Sequence, residues 1–574
     1  MKKNRLLRTP WTALRMILLL LALSLVVSCG AFEGDSYRPP QTNGPSILVD
    51  LYHARLQNHE DYRLEKDNYQ YQGVFGYHRA FEHVREHGYE VQSFRETPLS
   101  APRLKDFDIL FINLVDSNRP TFSADEYRVI DDWVKAGGGL FLIADHTNVY
   151  HSSERINPIL APMDMEVGYH TVVDRSSAAL VGAAWLMLWD FDPHFVTEGL
   201  EMISPQTGGP IFGDHGLAWS SEASFADYWN KEETSGFYGD FNQGEDKELE
   251  PGGPLAMVAA REYGKGRVVV VGDQNMFGDA WLFFANNFDL MMNSFQWLAK
   301  KEDDSPALRE QKPRGFQIGL EMSHNNYRPG RQLQDGYYVH FVHYNRDPEV
   351  TAHARLNIDP SDDALILLDP ERPYDESDIA LIKDYFKEGK TVVLSFNADR
   401  IEPGTAGLLR ALAPDFLLRY ADLSDEPRRI DATELRVDER NDLDIRHFRG
   451  HHALISDHID VDGLYLTSAQ RPSHPLPEEG LPPSLLAVSS EWGQPLLQVR
   501  VRDEEAGEDD ELVDHQIIDI ARVQEIDQGR LVILIQDGFW RNRSLGTSEV
   551  TRPADEFTDA ITLHYRLLDW LKAQ

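Results

Sequence analysis

The chain has 574 residues, 42% of them hydrophobic, and a formal charge of −38 at pH 7. That is enough apolar material for more than one packed core, which excludes a disordered chain. So large an acidic excess repels phosphate backbones, which excludes nucleic acid as a partner and leaves salt adaptation or a cationic partner as its meaning.

In chain order, Lys2, Lys3, Arg5, Arg8 and Arg15 precede an uncharged run from Met16 to Ser28. The run is shorter than the ~20 apolar residues a spanning helix needs and has the size of a signal-peptide core. It ends in Val26-Val27-Ser28-Cys29-Gly30, which resembles the lipobox of bacterial lipoproteins. The resemblance implies removal of residues 1–28, acylation of Cys29 and a membrane partner reached through an N-terminal lipid anchor. Cys29 is the only cysteine, so no internal disulfide competes for it. Two or more acyl chains anchor stably where one is marginal. Gly30 in place of Asp points, by the same resemblance, to the outer membrane, facing the periplasm or the cell surface. Residues 29–45, rich in Gly, Pro and polar side chains, read as a flexible tether.

A repeat follows. Asp106 to Asn113 is a short apolar strand, and Ser123 and Glu126 have capping-box spacing for a helix whose buried face is Tyr127, Ile130, Trp133 and Val134. Gly137-Gly138-Gly139 stops that helix, and Leu140–Ala144 is the next strand. Asp363 to Asp369, the acidic cap Asp375–Asp378, a stripe through Ile379, Ile382, Tyr385 and Phe386, then Thr391–Leu394, repeat the order. Gly264 to Asp273 corresponds to Gln528 to Asp537, and terminal helices are expected at 293–300 and 563–572. Strands that are nearly all apolar, alternating with helices, imply doubly wound, mainly parallel sheets covered on both faces. The expected organisation is an α/β unit at 46–300 with an insertion at about 163–253, a linker at 301–314 and a second α/β unit at 315–574.

The strand, cap, helix, triple-glycine, strand unit and the Gly-Lys-Gly-Arg-Val-Val-Val-Val-Gly-Asp273 ending resemble the class I glutamine amidotransferase-like superfamily. More narrowly, the chain is similar to envelope lipoproteins with tandem degenerate domains. The resemblance implies two flavodoxin-like sheets, and a nucleophilic cysteine at the turn after Leu140–Ala144. Asp145-His146 stands there, and Phe396-Asn397 in the second copy. Thiol-based amidotransferase or peptidase chemistry is therefore excluded.

Ligands of open α/β sheets bind at the carboxyl ends of the strands. The candidate ligand or metal residues there are Asp50, His53, Asp145, His146, Asn148, His151, Asp273 and Asn275, with Asp214 and His215 in the insertion. Carboxylates with neutral imidazoles suit zinc or manganese, so a divalent metal activating water is one expectation. Asp273 also reads as a plain turn acceptor. The aromatic-rich insertion, with Trp185, Trp189, Phe191, Trp219, Tyr228, Trp229, Phe237 and Tyr238, fits a subsidiary core or a sugar-stacking surface. Tyr337 to Tyr344 reads as a strand or hairpin. The leading expectation is a non-catalytic binding or scaffold lipoprotein with a glycan, peptide or envelope-protein partner. A metal-dependent hydrolase and an accessory subunit of a transport or motility system are the alternatives.

Overall fold

The computed structural model describes residues 38–55, 76–176, 184–229, 238–302, 307–325, 336–396, 401–416, 418–422, 428–430, 442–445, 464–467, 484–488, 492–500, 517–535, 540 and 559–573. The leader, Cys29, most of the tether, Phe237, Asn397 and Asp537 lie outside them.

The first sheet contains β1 (Ser46–Asp50), β2 (Glu90–Phe94), β3 (Ile109–Asn113), β4 (Gly139–Ile143), β5 (Asp190–Phe191), β6 (Gly216–Trp219), β7 (Ala256–Tyr263) and β8 (Gly266–Val271). Their order is β2-β1-β3-β4-β8-β7-β6-β5. The first five in that order are parallel, and β7, β6 and β5 continue antiparallel. The second sheet contains β9 (Phe316–Glu321), β10 (Val350–Arg355), β11 (Ala364–Leu368), β12 (Thr391–Ser395), β13 (Gln494–Arg500), β14 (Ile517–Ile526) and β15 (Gly529–Leu534). Its order, β10-β9-β11-β12-β15-β14-β13, reproduces the first sheet strand for strand, with no counterpart of the β5 edge among the described residues. The α/β class with two doubly wound, mainly parallel sheets is thus as expected.

Alternating residues of the parallel strands enter different cores. Ile47, Val49, Phe111, Phe141 and Val269 face one, and Leu48, Leu110, Leu140, Val268 and Val270 face the other. At about 1.5–3 kcal/mol for each fully buried large apolar side chain, this two-sided burial holds the sheet between its helices. The helices flanking the strands begin as the caps require. Ser123 accepts from Glu126 N and Glu126 returns the bond at the start of α2 (Ala124–Ala136), after α1 (His78–Glu86). Further along come α3 (Asn287–Leu298), α4 (Tyr338–Arg346), α5 (Glu376–Lys387) and α6 (Asp559–Lys572). Asp375 and Asp378 form the matching box at α5.

Three sequence expectations are corrected. The helix placed at 293–300 starts at Asn287, because Phe288, Leu290, Met291 and Met292 are already buried along it. The one placed at 563–572 starts at Asp559. Tyr337 to Tyr344 is no strand or hairpin. It is α4 with Tyr337 at its N-cap, the counterpart of α1 with Tyr77 at its N-cap. The aromatic and β-branched character that suggested a strand is overridden by packing on the sheet.

The two halves share one apolar core. Trp281 stacks on Phe284 at 4.2 Å and meets Phe341 edge-on at 6.0 Å. The backbone joins them as well: Ala285 N donates to Ala354 O at 2.7 Å and Ala354 N to Phe283 O at 3.0 Å. Arg79, on α1, donates to Asn345 O at 3.1 Å, to Val350 O at 2.7 Å and to Thr351 Oγ1.

Candidate functional site

Asp50, the last residue of β1, accepts at Oδ1 from Tyr52 N and His53 N, both at 3.0 Å. Its other oxygen lies 2.7 Å from His53 Nδ1. His53 Nε2 is 3.3 Å from Glu126 Oε1, the capping-box acid of α2, and the ring stacks on Phe122 at 3.7 Å. Burial alone would lower the imidazole, but Asp50 and then Glu126 outweigh it and push it up to about 9. A buried imidazolium therefore staples the end of β1 to the start of α2.

The second half repeats the device. Glu321, the last residue of β9, accepts from Ser323 N at 2.6 Å and from His324 N at 3.3 Å. His324 lies 3.1 Å from Glu321 and 3.8 Å from Asp378, the capping-box acid of α5, and its ring stacks on Tyr374 at 3.8 Å. Phe122 and Tyr374 each immediately precede the N-cap residue. Asp50 and His53, expected in a ligand or metal site, are thus half of a duplicated structural staple.

The crest above β4 and β8 is different. These strands are adjacent and parallel, with Ile143 opposite Val271. Two residues further on, Asp145 and Asp273 stand side by side, 4% and 1% exposed. Asp273 accepts from Asn275 N at 2.8 Å, Gln206 N at 2.5 Å and Met276 N at 3.2 Å. Burial nevertheless pushes it up to about 7 against those three amides. Asp145 accepts one backbone bond, from His146 N at 2.7 Å. Burial first, and then the field of Asp273, raise it well above the usual carboxylate range. The two carboxyls titrate together, and their shared burial favours keeping a proton on the pair.

Around this pair the polar groups are dense and incompletely matched. Tyr77, fully buried, donates to Gln274 O; burial and the fields of Asp273 and Asp145 keep it protonated. Gln274 Nε2 donates to Asn275 Oδ1 at 2.7 Å, and Asn275 Nδ2 to Gln206 O at 3.2 Å. Among the described residues the buried side-chain amide of Gln206 has no hydrogen-bond partner, and that of Asn113, at the end of β3, faces the Tyr77 hydroxyl. Each unpartnered buried group costs about 1–3 kcal/mol. The backbone is strained at the same place: Thr147, Tyr150, His151 and Thr207 have φ of 55°, 53°, 57° and 67°. For a β-branched residue this is a genuine outlier. Strain of about 1–3 kcal/mol persists only where neighbours enforce it. Here Thr147 N is held by His170 O at 2.7 Å and Thr207 N by Ala184 O at 2.9 Å. Tyr238, 37% exposed, stacks on His146 at 4.7 Å.

The other predicted residues lie apart from the pair. Asn148 Oδ1 accepts from Glu154 N at 3.2 Å, and His151 pairs with Glu154 at 3.0 Å, both at the start of the helix Ser152–Leu160. Asp214 is exposed on the turn before β6, and His215 feels Arg261 and Asp164. Among the described residues no three His, Cys, Asp or Glu side chains converge in a set able to hold a metal ion. The expected cluster is thus divided: Asp145, His146, Asp273 and Asn275 meet at the crest, and Asp50, His53, Asn148, His151, Asp214 and His215 lie elsewhere. Sequence reasoning missed Tyr77, Asn113 and Gln206 and read Glu126 only as a helix cap; only the recurrence of Tyr77 as Tyr337 could have signalled the first.

Strand register also corrects the alignment of the two copies. Ser395 lies opposite Leu534 as Ile143 lies opposite Val271. The residues two places on are Asn397 and Gln536, so Asp537 falls one residue late as a partner for Asp273. In sequence, both acids of the first crest are amides in the second.

The family model of a domain of unknown function, DUF4350, matches residues 72–295. Comparison with curated proteins returns no match. Among solved structures, the mmIFT52 N-terminal domain is similar over 46% of this chain and all of its own length, at 14% identity and a TM-score of 0.33. A cytoplasmic protein from Salmonella typhimurium LT2 is similar over 44% of this chain and 99% of its own, at 14% identity and a TM-score of 0.28. A ThuA-like protein from Parabacteroides merdae covers 46% of this chain and 92% of its own, at 11% identity and a TM-score of 0.27.

Proposed function

We propose that this chain is an envelope lipoprotein, anchored through Cys29, that binds a small polar ligand at the crest of its first amidotransferase-like half without catalysing a reaction. The second half serves as its scaffold. One observation carries the reading: duplication kept the histidine staple in both halves and the buried acid pair in only one. A feature the fold needs is present twice; the pair is not. Its surroundings support the same conclusion. The buried amides of Asn113 and Gln206 offer both donors and acceptors, and a carboxyl pair that keeps one proton adds one of each. The strained loops at Thr147 and Thr207 hold these groups in place in advance of a ligand.

The test is native mass spectrometry of the protein extracted from bacterial envelopes. The wild type carries a small-molecule mass that Asp145→Asn lacks, and Cys29→Ser moves the protein from the membrane pellet to the soluble fraction. A wild type that is bare, or a ligand retained in full by Asp145→Asn, removes the crest from the account. A stoichiometric envelope protein that co-purifies equally with both would make the scaffold role primary.

A further inference from the structure

We propose that a groove beside the edge strand β5, separate from the crest, binds a neutral glycan. The groove is open, about 700 Å³, and is walled by Trp189, Asp190, Phe191, Asp192, His194 and Glu198 among others. Trp189 is 43% exposed, the same as Leu249 and slightly more than Tyr238, the other large exposed hydrophobics among the described residues. Among the described residues the second sheet has no counterpart of β5.

The wall is built, not loose. Asp192 N donates to Leu217 O at 2.9 Å, which ends β5 against β6. Thr197 Oγ1 donates to Asp192 O at 2.6 Å and to His194 O at 3.1 Å, closing the turn. Asp192 Oδ2 accepts from the Trp219 indole at 3.0 Å, which fixes the carboxylate. His194 Nδ1 accepts from Val196 N at 3.1 Å. Burial first, and then Arg267, lower this imidazole, so it is neutral and carries its proton on Nε2 as a donor.

That combination selects among ligands. An indole face covers the apolar face of a pyranose, carboxylates accept from its hydroxyls, and an imidazole N–H donates to its oxygens. A lysine-rich peptide brings only donors and would leave the imidazole N–H facing another donor. An anionic glycan would meet Asp190 and Asp192 with no Lys or Arg in the wall to offset them; Glu198 alone has a cation near it, Arg309 at 3.7 Å.

The experiment is isothermal titration of the full-length protein with cellohexaose, chitohexaose, mannohexaose and maltohexaose, and with hexalysine. At least one hexasaccharide should bind with a Kd below ~1 mM. Trp189→Ala should weaken it by about tenfold or more, while Trp189→Phe, which keeps a ring, restores most of it. Thermal melts of both variants establish that the fold is intact. The proposal is overturned if none of the four sugars binds, if Trp189→Ala binds as tightly as the wild type, or if hexalysine competes for the groove.

Discussion

At the end of its first strand, each half of this protein places an acid, a histidine three residues later and the capping acid of a later helix in one stacked contact. At the crest between the fourth strand and its parallel neighbour the halves diverge. The first has Asp145 and Asp273, buried and short of a proton's worth of neutrality; the second has Asn397 and Gln536 in those sequence places. Internal duplication thereby separates fold maintenance from something else without reference to any other protein. Chemistry repeated in both copies serves the architecture, and costly chemistry found in one copy calls for a ligand. Seen this way, His53 belongs with the features both halves carry, and the Asp145–Asp273 pair with those that one half carries.

The comparison can be broken most forcefully at the staple. His53→Ala leaves Asp50 and Glu126 as buried, facing carboxylates and should cost about 3–5 kcal/mol in chemical denaturation. His324→Ala, in a side chain that is 17% exposed, should cost less than half as much. The pH dependence has a definite sign. His53 is raised in the folded state to about 9, so its contribution is complete below about 6.5 and disappears as the pH rises through about 9. Equal losses for the two variants, or a His53 contribution that grows toward pH 9, would contradict the staple. Next in size, Arg79→Ala removes three bonds across the seam between the halves, and Val339 stands at the corresponding place in the second copy. A loss of about 2–4 kcal/mol is expected, with earlier proteolysis between the halves. Unchanged proteolysis and stability would show that the seam rests on the shared apolar core alone. The smallest effect lies at the strained crest loop: Thr147→Gly should stabilise the protein by up to about 1 kcal/mol in thermal melts, because glycine adopts its φ of 55° without penalty. Destabilisation there would mean the loop is not strained.

Much of the fold was legible because its signals are local. Ser123 with Glu126 and Asp375 with Asp378 announced the two helices, and apolar runs announced the parallel strands. The candidate site was legible only in part, since its members meet through topology. Asp145 and Asp273 were visible as strand-end acids, but Tyr77, Asn113 and Gln206 come from three distant segments and carry no charge to attract notice. Asp50 and His53 were misread because a histidine near a strand-end acid looks the same whether it awaits a ligand or completes a staple. The difference lay in Glu126 and in the recurrence at Glu321, His324 and Asp378. The helix at Tyr338–Arg346 was missed because local strand propensity there conflicts with packing that only the folded chain supplies.

The most direct test of the central claim is the unfolding free energy of Asp145→Asn measured from pH 4 to pH 8. Burial and the neighbouring Asp273 raise Asp145 in the folded state, so the wild type loses stability as the pH rises above the usual aspartate range. The account predicts that the two proteins are equally stable near pH 4 and that the variant is the more stable at pH 8, by at least about 1.4 kcal/mol for each unit of the raised pKa. A variant less stable than the wild type at pH 8 would show that the ionised pair is part of the architecture, and the distinction between the two crests would fall.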